Sequence, residues 1–186
     1  MTVTDVNVVK SAIFERPDDA NKGTLGSLLC VCGSYGMAGA AVMSAKGALR
    51  TGIGLAKCAL PRSIYPIVAQ TILESVYYPL SENADGRISK VNVPFLVSES
   101  CKSSATLVGC GLGVCDDTLK IVFSFIENST TPLVLDADAL NCVAKQPEIL
   151  LRKKAPIIIT PHPGEMSRLT GLATPLVNAE RERVAL

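Results

Sequence analysis

Residues 27–60 read SLLCVCGSYGMAGAAVMSAKGALRTGIGLAKCAL, and this stretch decides the fold. The apolar run Ser27–Cys32 predicts a buried strand, and the glycine-rich loop Gly33–Gly39 follows it. We expect a helix of small residues over Ala40–Thr51 and a second strand over Leu55–Leu60. A strand, a helix and a second strand in this order predict a βαβ unit, in which the two strands are parallel.

The alternation of short apolar runs and helical segments continues to the end of the chain. Further strands are expected at Ser75–Leu80, Ala105–Val108, Leu133–Leu135 and Pro156–Thr160, and further helices at Ser63–Gln70, from Asp116 to about Glu127, through Leu140 and Val143, and over Asn178–Leu186. Residues Asn83–Lys90 are polar and contain glycine, which is typical of a surface loop. We therefore predict an α/β fold, a doubly wound and mainly parallel sheet flanked by helices, in a single domain over residues 1–186.

The composition is that of a well-packed protein without a strong charge. Apolar residues make up 48% of the chain, charged residues make up 19%, and the mean hydropathy is +0.33. Eighteen Lys and Arg residues balance 17 Asp and Glu residues, with no long run of like charge. This balance argues against the basic surface that nucleic acid or an anionic membrane would need, so we expect neither as a partner.

The seven cysteines lie mostly in apolar runs, where a free thiol behaves as a small apolar side chain. Cys30 and Cys32 stand too close together for a zinc knuckle, and the chain has one histidine, so no metal site is expected from them. Free thiols predict a reducing, cytoplasmic location. Met1–Lys22 is polar and shows no signal peptide, and glycines, serines and a lysine make Leu25–Leu49 a poor membrane span.

Four loops that follow predicted strands carry the residues suited to chemistry. They are Gly33–Gly39, Gly109–Gly113, Asp136–Asn141 and Pro161–Glu165. Loops at the carboxyl ends of parallel strands share one edge of a sheet, where ligands bind. We therefore expect the four loops to form one site.

The two glycine loops offer backbone amides to an anion. In the first, Gly36 and Gly39 leave amides unhindered beside a helix start, as a phosphate needs, but the spacing is neither a dinucleotide fingerprint nor a Walker loop. The second has the pattern Gly-x-Gly-x-Gly over 109–113, and its backbone could approach a flat ligand or a diphosphate. For both loops, tight-turn geometry and close packing explain the glycines about as well as ligand binding does.

The other two loops carry ionisable groups. Asp136 could order Mg²⁺ through water or orient a phosphate-bearing substrate, whereas Asp138 is better explained as the N-cap of the next helix. His162 stands between two prolines, which fix the direction of the chain and suit an imidazole held toward a ligand. The alternative for this segment is a surface loop in which Glu165 starts a helix.

Taken together, these segments resemble the NAD(P)H-hydrate dehydratase family over nearly the whole chain. The residues that carry the resemblance are Lys22-Gly23 with Gly26, Gly33-Ser34-Tyr35-Gly36-Met37-Ala38-Gly39-Ala40-Ala41, Ala48-Leu49-Arg50-Thr51-Gly52-x-Gly54-Leu55, Gly109-Cys110-Gly111-Leu112-Gly113, Leu133-Val134-Leu135-Asp136-Ala137-Asp138-Ala139-Leu140-Asn141 and Thr160-Pro161-His162-Pro163-Gly164-Glu165-Met166. The last two segments are highly specific in combination, whereas the glycine loops alone are not.

The resemblance implies a ribokinase-like fold and the repair of damaged cofactor. ADP or ATP, with Mg²⁺, would phosphorylate the extra hydroxyl of (6S)-NADH-hydrate or (6S)-NADPH-hydrate, and loss of phosphate would restore the double bond of the ring. The resemblance also implies a homo-oligomer. The residues expected to bind the cofactor are Gly36, Gly39, Ala40, Gly111, Gly113, Asp136, His162 and Glu165. Of these, the resemblance places Ala40, Gly111 or Gly113, and His162 against the hydrated cofactor.

The sequence departs from the family pattern toward its end. Family members continue with a strand, a Lys-Gly element for the nucleotide and a Gly-[Ser/Thr]-Gly-Asp loop whose aspartate is the base. No such segment occurs up to Leu186, so we expect the catalytic aspartate to lie beyond it. Residues 1–186 would then form the N-terminal two-thirds of the family domain, with an incomplete sheet, and we expect them to be weakly active or inactive.

Other functions would use the same scaffold. The glycine loops would serve a ribokinase-like small-molecule kinase equally well. A non-catalytic nucleotide-binding module is a second alternative, which the absence of the Gly-[Ser/Thr]-Gly-Asp segment favours. An NAD-dependent dehydrogenase is disfavoured, because the first glycine loop has the wrong spacing for one.

Overall fold

The computed structural model describes residues 17–21 and 23–186. Most of Met1–Lys22, the stretch in which no signal peptide is expected, lies outside these residues, and so does Lys22 of the family-like segments. In residues 17–21 and 23–186, no helix is both long enough and apolar enough to cross a membrane.

Six parallel strands form one sheet in the order β3-β2-β1-β4-β5-β6. The strands are β1 (Ser27–Val31), β2 (Leu55–Pro61), β3 (Val76–Leu80), β4 (Ala105–Val108), β5 (Leu133–Leu135) and β6 (Ile157–Ile159). The chain proceeds outward from β1 to β3, then crosses to the other side of β1 and proceeds from β4 to β6. The predicted doubly wound parallel sheet is confirmed. Its strand order reverses between β1 and β4, and ligands bind at such a point.

Helices connect the strands, close to the expected positions. They are α1 (Ala38–Arg50), α2 (Tyr65–Thr71), α3 (Val93–Cys101), α4 (Asp116–Asn128), α5 (Asp138–Val143), α6 (Pro163–Thr170), α7 (Thr174–Ala179) and α8 (Arg181–Ala185). Short 3₁₀ helices lie at Arg62–Ile64, Lys90–Asn92 and Pro147–Arg152.

The side chains of β1 alternate between two cores, one on each face of the sheet. Leu29 and Val31 pack into the larger core with α3, α4 and α5, where Phe125 is the largest fully buried side chain. Cys30 and Cys32 pack with α1 and α2 on the opposite face. Because strand side chains point alternately to the two faces, a strand covered on both sides must be apolar at every position.

All seven cysteines are free thiols, as the sequence predicts. Cys30, Cys32, Cys58 and Cys142 are buried. Burial raises the pKa of the Cys142 thiol to about 12, since the charged thiolate would lose its hydration. These thiols therefore act as apolar packing groups.

Two helical segments differ from the prediction. The sequence pattern does not predict α3, because Pro94 and serines interrupt its apolar spacing, although a proline is tolerated in the first helical turn. The helix predicted over Asn178–Leu186 is instead divided between α7 and α8. The backbone departs from helical geometry at Glu180, with φ −125° and ψ 40°.

We predict that Phe125→Ala lowers the free energy of unfolding by about 3–5 kcal/mol, because the missing ring leaves a cavity in the larger core. The control is Leu151→Ala, at a side chain that is 87% exposed, which should change this free energy by less than about 0.5 kcal/mol. Urea unfolding followed by circular dichroism measures both. Equal losses for the two variants would contradict the packing described here.

Candidate functional site

The candidate site lies at the carboxyl end of the sheet, between β1 and β4. Hydrogen bonds join the loops that follow these strands. The Gly33 N–H donates to the Cys110 carbonyl oxygen over 2.8 Å, and the Ser34 hydroxyl donates to the Gly111 carbonyl oxygen, also over 2.8 Å. Ser34 is buried, so its hydroxyl is committed to this contact. The two glycine loops thus meet where the strand order reverses.

Two glycines of the second loop are required by close packing. A side chain at Gly109 would overlap the main-chain oxygen of Asp136, and its φ of +132° also favours glycine. A Cβ atom added at Gly111 would lie 2.7 Å from the Cβ atom of Ala40. The first turn of α1 therefore lies directly on the second glycine loop, and the contact consists of backbone and small side chains.

Two glycines of the predicted first loop are open instead, whereas Gly33 is crowded, since a Cβ atom added there would lie 2.8 Å from the Ile64 Cδ1 atom. Gly39 lies in the first turn of α1. Gly36 and Gly39 are exposed, and nothing lies within 4 Å of a Cβ atom added at either. Gly36 has φ +83°, so turn geometry accounts for glycine there. Close packing does not explain these two residues, and their backbone is accessible to a ligand.

Asp136 follows β5 and connects three loops. Its Oδ1 atom accepts a hydrogen bond from the Thr160 hydroxyl over 2.8 Å, and its Oδ2 atom lies 3.3 Å from the Cys110 sulfur atom. The pKa of the Cys110 thiol is lowered, chiefly by a hydrogen bond with the buried Cys32 thiol. The carboxylate of Asp136 therefore joins the loop after β4 to the ends of β5 and β6.

Asp136 also has the chemistry of a magnesium ligand. No group of three His, Cys, Asp or Glu side chains that could hold a metal ion occurs in the part of the chain that the structure describes. Protein sites for Mg²⁺ commonly use only one or two carboxylates and complete the shell with water and substrate phosphates. A single carboxylate at the edge of the sheet where the two glycine loops meet fits that kind of site.

Asp138 does not cap helix α5, contrary to the sequence prediction. The N-cap position falls on Ala137, and no side chain caps the helix. The Asp138 carboxylate instead accepts a hydrogen bond from the Gly113 N–H over 2.8 Å and one from the Asn141 amide over 3.3 Å. Arg168 of α6 donates to the Asn141 side-chain oxygen over 2.7 Å. Asp138 does not act as the cap because the second glycine loop brings a backbone N–H donor to its carboxylate.

His162 begins helix α6. Its Nδ1 atom accepts a hydrogen bond from the Gly164 N–H over 3.0 Å, and its own N–H donates to Glu165 Oε2 over 2.9 Å, which together form a capping box. The Nε2 atom lies 3.2 Å from Glu165 Oε1. Glu165 is buried, whereas the His162 side chain is 62% exposed. Glu165 thus completes the cap of α6, in line with the alternative that this segment starts a helix, and it contacts the ring, most of which stays accessible.

The predicted residues fall into two groups. Ala40, Gly111, Gly113 and Asp136 lie around the crevice between β1 and β4, where Ala40 approaches Gly111, Gly113 donates to Asp138 and Asp136 contacts Cys110. Gly36 and Gly39 lie beside them, before and within the first turn of α1. His162 and Glu165 lie further along the edge, at the end of β6, and the contact between Thr160 and Asp136 connects this segment to the crevice.

A hairpin over Glu82–Ile88 forms part of the rim of the crevice between β1 and β4. The sequence does not reveal this placement. The sequence predicts only a polar surface loop there. In the structure, the Tyr35 N–H donates to the Gly86 carbonyl oxygen over 2.9 Å, and the Asn83 amide donates to Asp117 Oδ2 over 2.9 Å. The hairpin therefore reaches from the first glycine loop to the start of α4. An Asp-Gly pair within it is a turn signal, but such a signal does not specify what the turn contacts.

We predict that Ala137→Gly raises the free energy of unfolding by about 1 kcal/mol. Among the described residues, Ala137 is the one non-glycine residue with positive φ, at φ 49° and ψ −115°. Relief of this strain should exceed the entropy cost of glycine. In contrast, Ala48→Gly inside α1 should lower the free energy by about 1 kcal/mol. Thermal unfolding compares the two, and a loss at residue 137 would show that its backbone is not strained.

Comparison with known proteins agrees with this geometry. The family model for NAD(P)H-hydrate dehydratase matches residues 28–185. The bifunctional NAD(P)H-hydrate repair enzyme of Thermofilum pendens is 37% identical over 171 residues, which cover 92% of this chain and 33% of that protein. The ADP-dependent (S)-NAD(P)H-hydrate dehydratase of Neisseria meningitidis is 32% identical over 169 residues, with coverage of 89% and 53%.

A solved structure shows the same fold. The ADP/ATP-dependent NAD(P)H-hydrate dehydratase from Bacillus subtilis, co-crystallised with ATP/Mg²⁺, superposes with a TM-score of 0.75 at 27% identity, over 96% of this chain and 59% of that chain. The chain thus spans less than two thirds of the length of each of these proteins. Because the family model covers all but the first 27 residues and the last one, the chain belongs to the NAD(P)H-hydrate dehydratase family.

Proposed function

We propose that this chain binds hydrated NADH or NADPH in the crevice between β1 and β4, as part of an ADP- or ATP-dependent NAD(P)H-hydrate dehydratase. The observation that carries the proposal is the contact between Ala40 and Gly111. It brings together two of the three positions at which the family resemblance expects the hydrated cofactor, at the point where a doubly wound sheet binds ligands.

The proposed reaction restores (6S)-NAD(P)H-hydrate to NAD(P)H. The nucleotide transfers a phosphoryl group to the hydroxyl on the hydrated ring. The C–O bond then breaks, phosphate leaves with the bonding electron pair, and loss of a proton from the neighbouring ring carbon forms the double bond. Hydroxide is a poor leaving group and phosphate is a good one, so phosphorylation makes the elimination feasible. Catalysis of such a transfer depends on positioning and on stabilisation of negative charge.

The residues of this chain would bind and orient the two substrates. Small residues at Ala40 and Gly111 let the hydrated ring lie against backbone, and the amides near Gly36 and Gly39 would receive phosphate oxygens. The exposed imidazole of His162, held in place by Glu165, would contact the hydrated cofactor. We place the catalytic aspartate in the Gly-[Ser/Thr]-Gly-Asp loop of the family pattern, which residues 1–186 do not contain.

Mg²⁺ is part of the same proposal. Asp136 would hold the ion through water, together with the phosphates of ADP or ATP, and the ion would reduce their negative charge. The position of Asp136 beside the second glycine loop supports this role. The ATP/Mg²⁺ with which the Bacillus subtilis relative was co-crystallised supports the choice of metal and nucleotide.

The organisation and location of the protein are proposals as well. We propose one domain over residues 1–186, assembled as a homo-oligomer in the cytoplasm. The free thiols support a reducing compartment. The proposal of a homo-oligomer rests on the family resemblance.

We predict that His162→Asn weakens the binding of NADPH-hydrate by roughly tenfold, because the ligand loses one hydrogen-bonding partner. Asparagine is a favoured N-cap residue, so the start of α6 and the melting temperature should be preserved. Isothermal titration calorimetry of residues 1–186 measures the affinity. Unchanged affinity would remove His162 from the binding site.

The same protein tests the proposed function as a whole. No heat of binding with NADPH or its hydrate, while circular dichroism shows a native fold, would contradict the proposal. Incubation with ADP or ATP separates the alternatives. Inorganic phosphate released together with NADPH indicates a dehydratase, a stable phosphorylated product indicates a kinase, and binding without release indicates a non-catalytic module. We expect binding with weak or undetectable release from residues 1–186.

A further inference from the structure

The hairpin over Glu82–Ile88 is held rigidly at the rim of the crevice. An antiparallel bridge joins Glu82 to Ile88, and the Asn83 N–H donates to the Arg87 carbonyl oxygen over 2.9 Å. The side-chain oxygen of Asn83 accepts the N–H groups of Asp85 and Arg87, each over 3.1 Å. Asn83 therefore holds the hairpin together, and its bond to Asp117 fixes the hairpin to α4.

This hairpin places a guanidinium group on the second glycine loop. A side chain at Gly113 would overlap the Nε atom of Arg87 and would lie 3.2 Å from its Cζ atom. Gly113 is itself fixed, because its N–H donates to Asp138 and its carbonyl oxygen accepts from the Thr118 hydroxyl over 2.7 Å. The positive charge of Arg87 therefore lies over the glycine loop that the proposed function assigns to the cofactor.

The charge of Arg87 is only weakly paired. In the part of the chain that the structure describes, Asp85 is the one carboxylate that forms an ion pair with it, at 3.4 Å, and the Asp85 side chain is 69% exposed. The carboxylates of Asp117 and Asp138 accept hydrogen bonds from other groups. The Arg87 side chain is 31% exposed, so its guanidinium group is held in place and remains accessible to an anion.

We propose that Arg87 binds a phosphate group of hydrated NADH or NADPH, which the chain is proposed above to repair. The dinucleotide carries a diphosphate, and the NADPH form carries a third phosphate group. A guanidinium group donates two parallel hydrogen bonds to a phosphate and retains its charge at any physiological pH. Gly113 has no side chain to separate Arg87 from a ligand on the glycine loop. Arg87 is thus a residue that sets affinity for the phosphate-bearing part of the cofactor.

The test is calorimetric titration of residues 1–186 with NADPH, with inorganic pyrophosphate and with ADP. We expect Arg87→Ala to weaken the binding of NADPH and of pyrophosphate by roughly tenfold or more, and Arg87→Lys to weaken it less. The control is Arg152→Ala, which removes the same charge from an exposed pair with Glu127, at the other end of α4, and should leave both affinities unchanged. ADP binding should be affected less than NADPH binding.

A second variant separates binding from folding. Asp85→Asn removes the weak partner of Arg87 and should leave NADPH and pyrophosphate affinity equal or higher, because the anion no longer competes with a carboxylate. A loss of affinity together with a lower melting temperature, in both Asp85→Asn and Arg87→Ala, would show that the pair only supports the hairpin and would overturn the proposal.

The outcomes distinguish this inference from the proposed function. If the wild-type chain binds NADPH and Arg87→Ala binds it equally well, the role of Arg87 is wrong and the proposed function stands. If the wild-type chain binds pyrophosphate but not NADPH, the proposed function fails, and loss of pyrophosphate binding in Arg87→Ala still identifies the anion site. If Arg87→Ala weakens only ADP binding, assignment of Arg87 to the hydrated cofactor is overturned.

Discussion

The close approach of three chain segments at Gly109 holds the candidate site together. The Gly109 N–H donates to the Val31 carbonyl oxygen over 3.2 Å, and the main-chain oxygen of Asp136 occupies the space that a side chain at residue 109 would need. The ends of β1, β4 and β5 are therefore fixed against one another by backbone atoms. A crevice built in this way is lined by amides and carbonyl groups, and its shape does not depend on long side chains that could move.

The fold could be predicted because its signals are local. A strand buried on both faces must be apolar at every position, and Ser27–Val31 shows this directly. Glycines mark the ends of β1 and β4, prolines and polar residues flank β5 and β6, and the predicted and observed strands agree within one or two residues. Helix α3 has no such signal, since proline and serine break its pattern. The interruption at Glu180 arises from backbone geometry that no residue type in that segment requires.

The candidate site could be predicted only in part, because several of its contacts join residues far apart in sequence. The glycine loops and Asp136 could be found from their position after strands. An aspartate at a helix start is usually a cap, yet the carboxylate of Asp138 turns to an amide 25 residues earlier in the chain. The contacts of the hairpin with Tyr35 and Gly113 are likewise long-range, and polar loop residues carry no pattern that identifies them.

The thiol of Cys110 gives this arrangement a chemical weakness. It lies half-buried between the Cys32 thiol and the Asp136 carboxylate, so alkylation or oxidation of its sulfur would force a larger group into that space. Asp136 also bonds to Thr160 at the end of β6, and the disturbance would extend to the segment that carries His162. An electrophile could therefore distort the candidate site through one atom and leave the rest of the sheet intact.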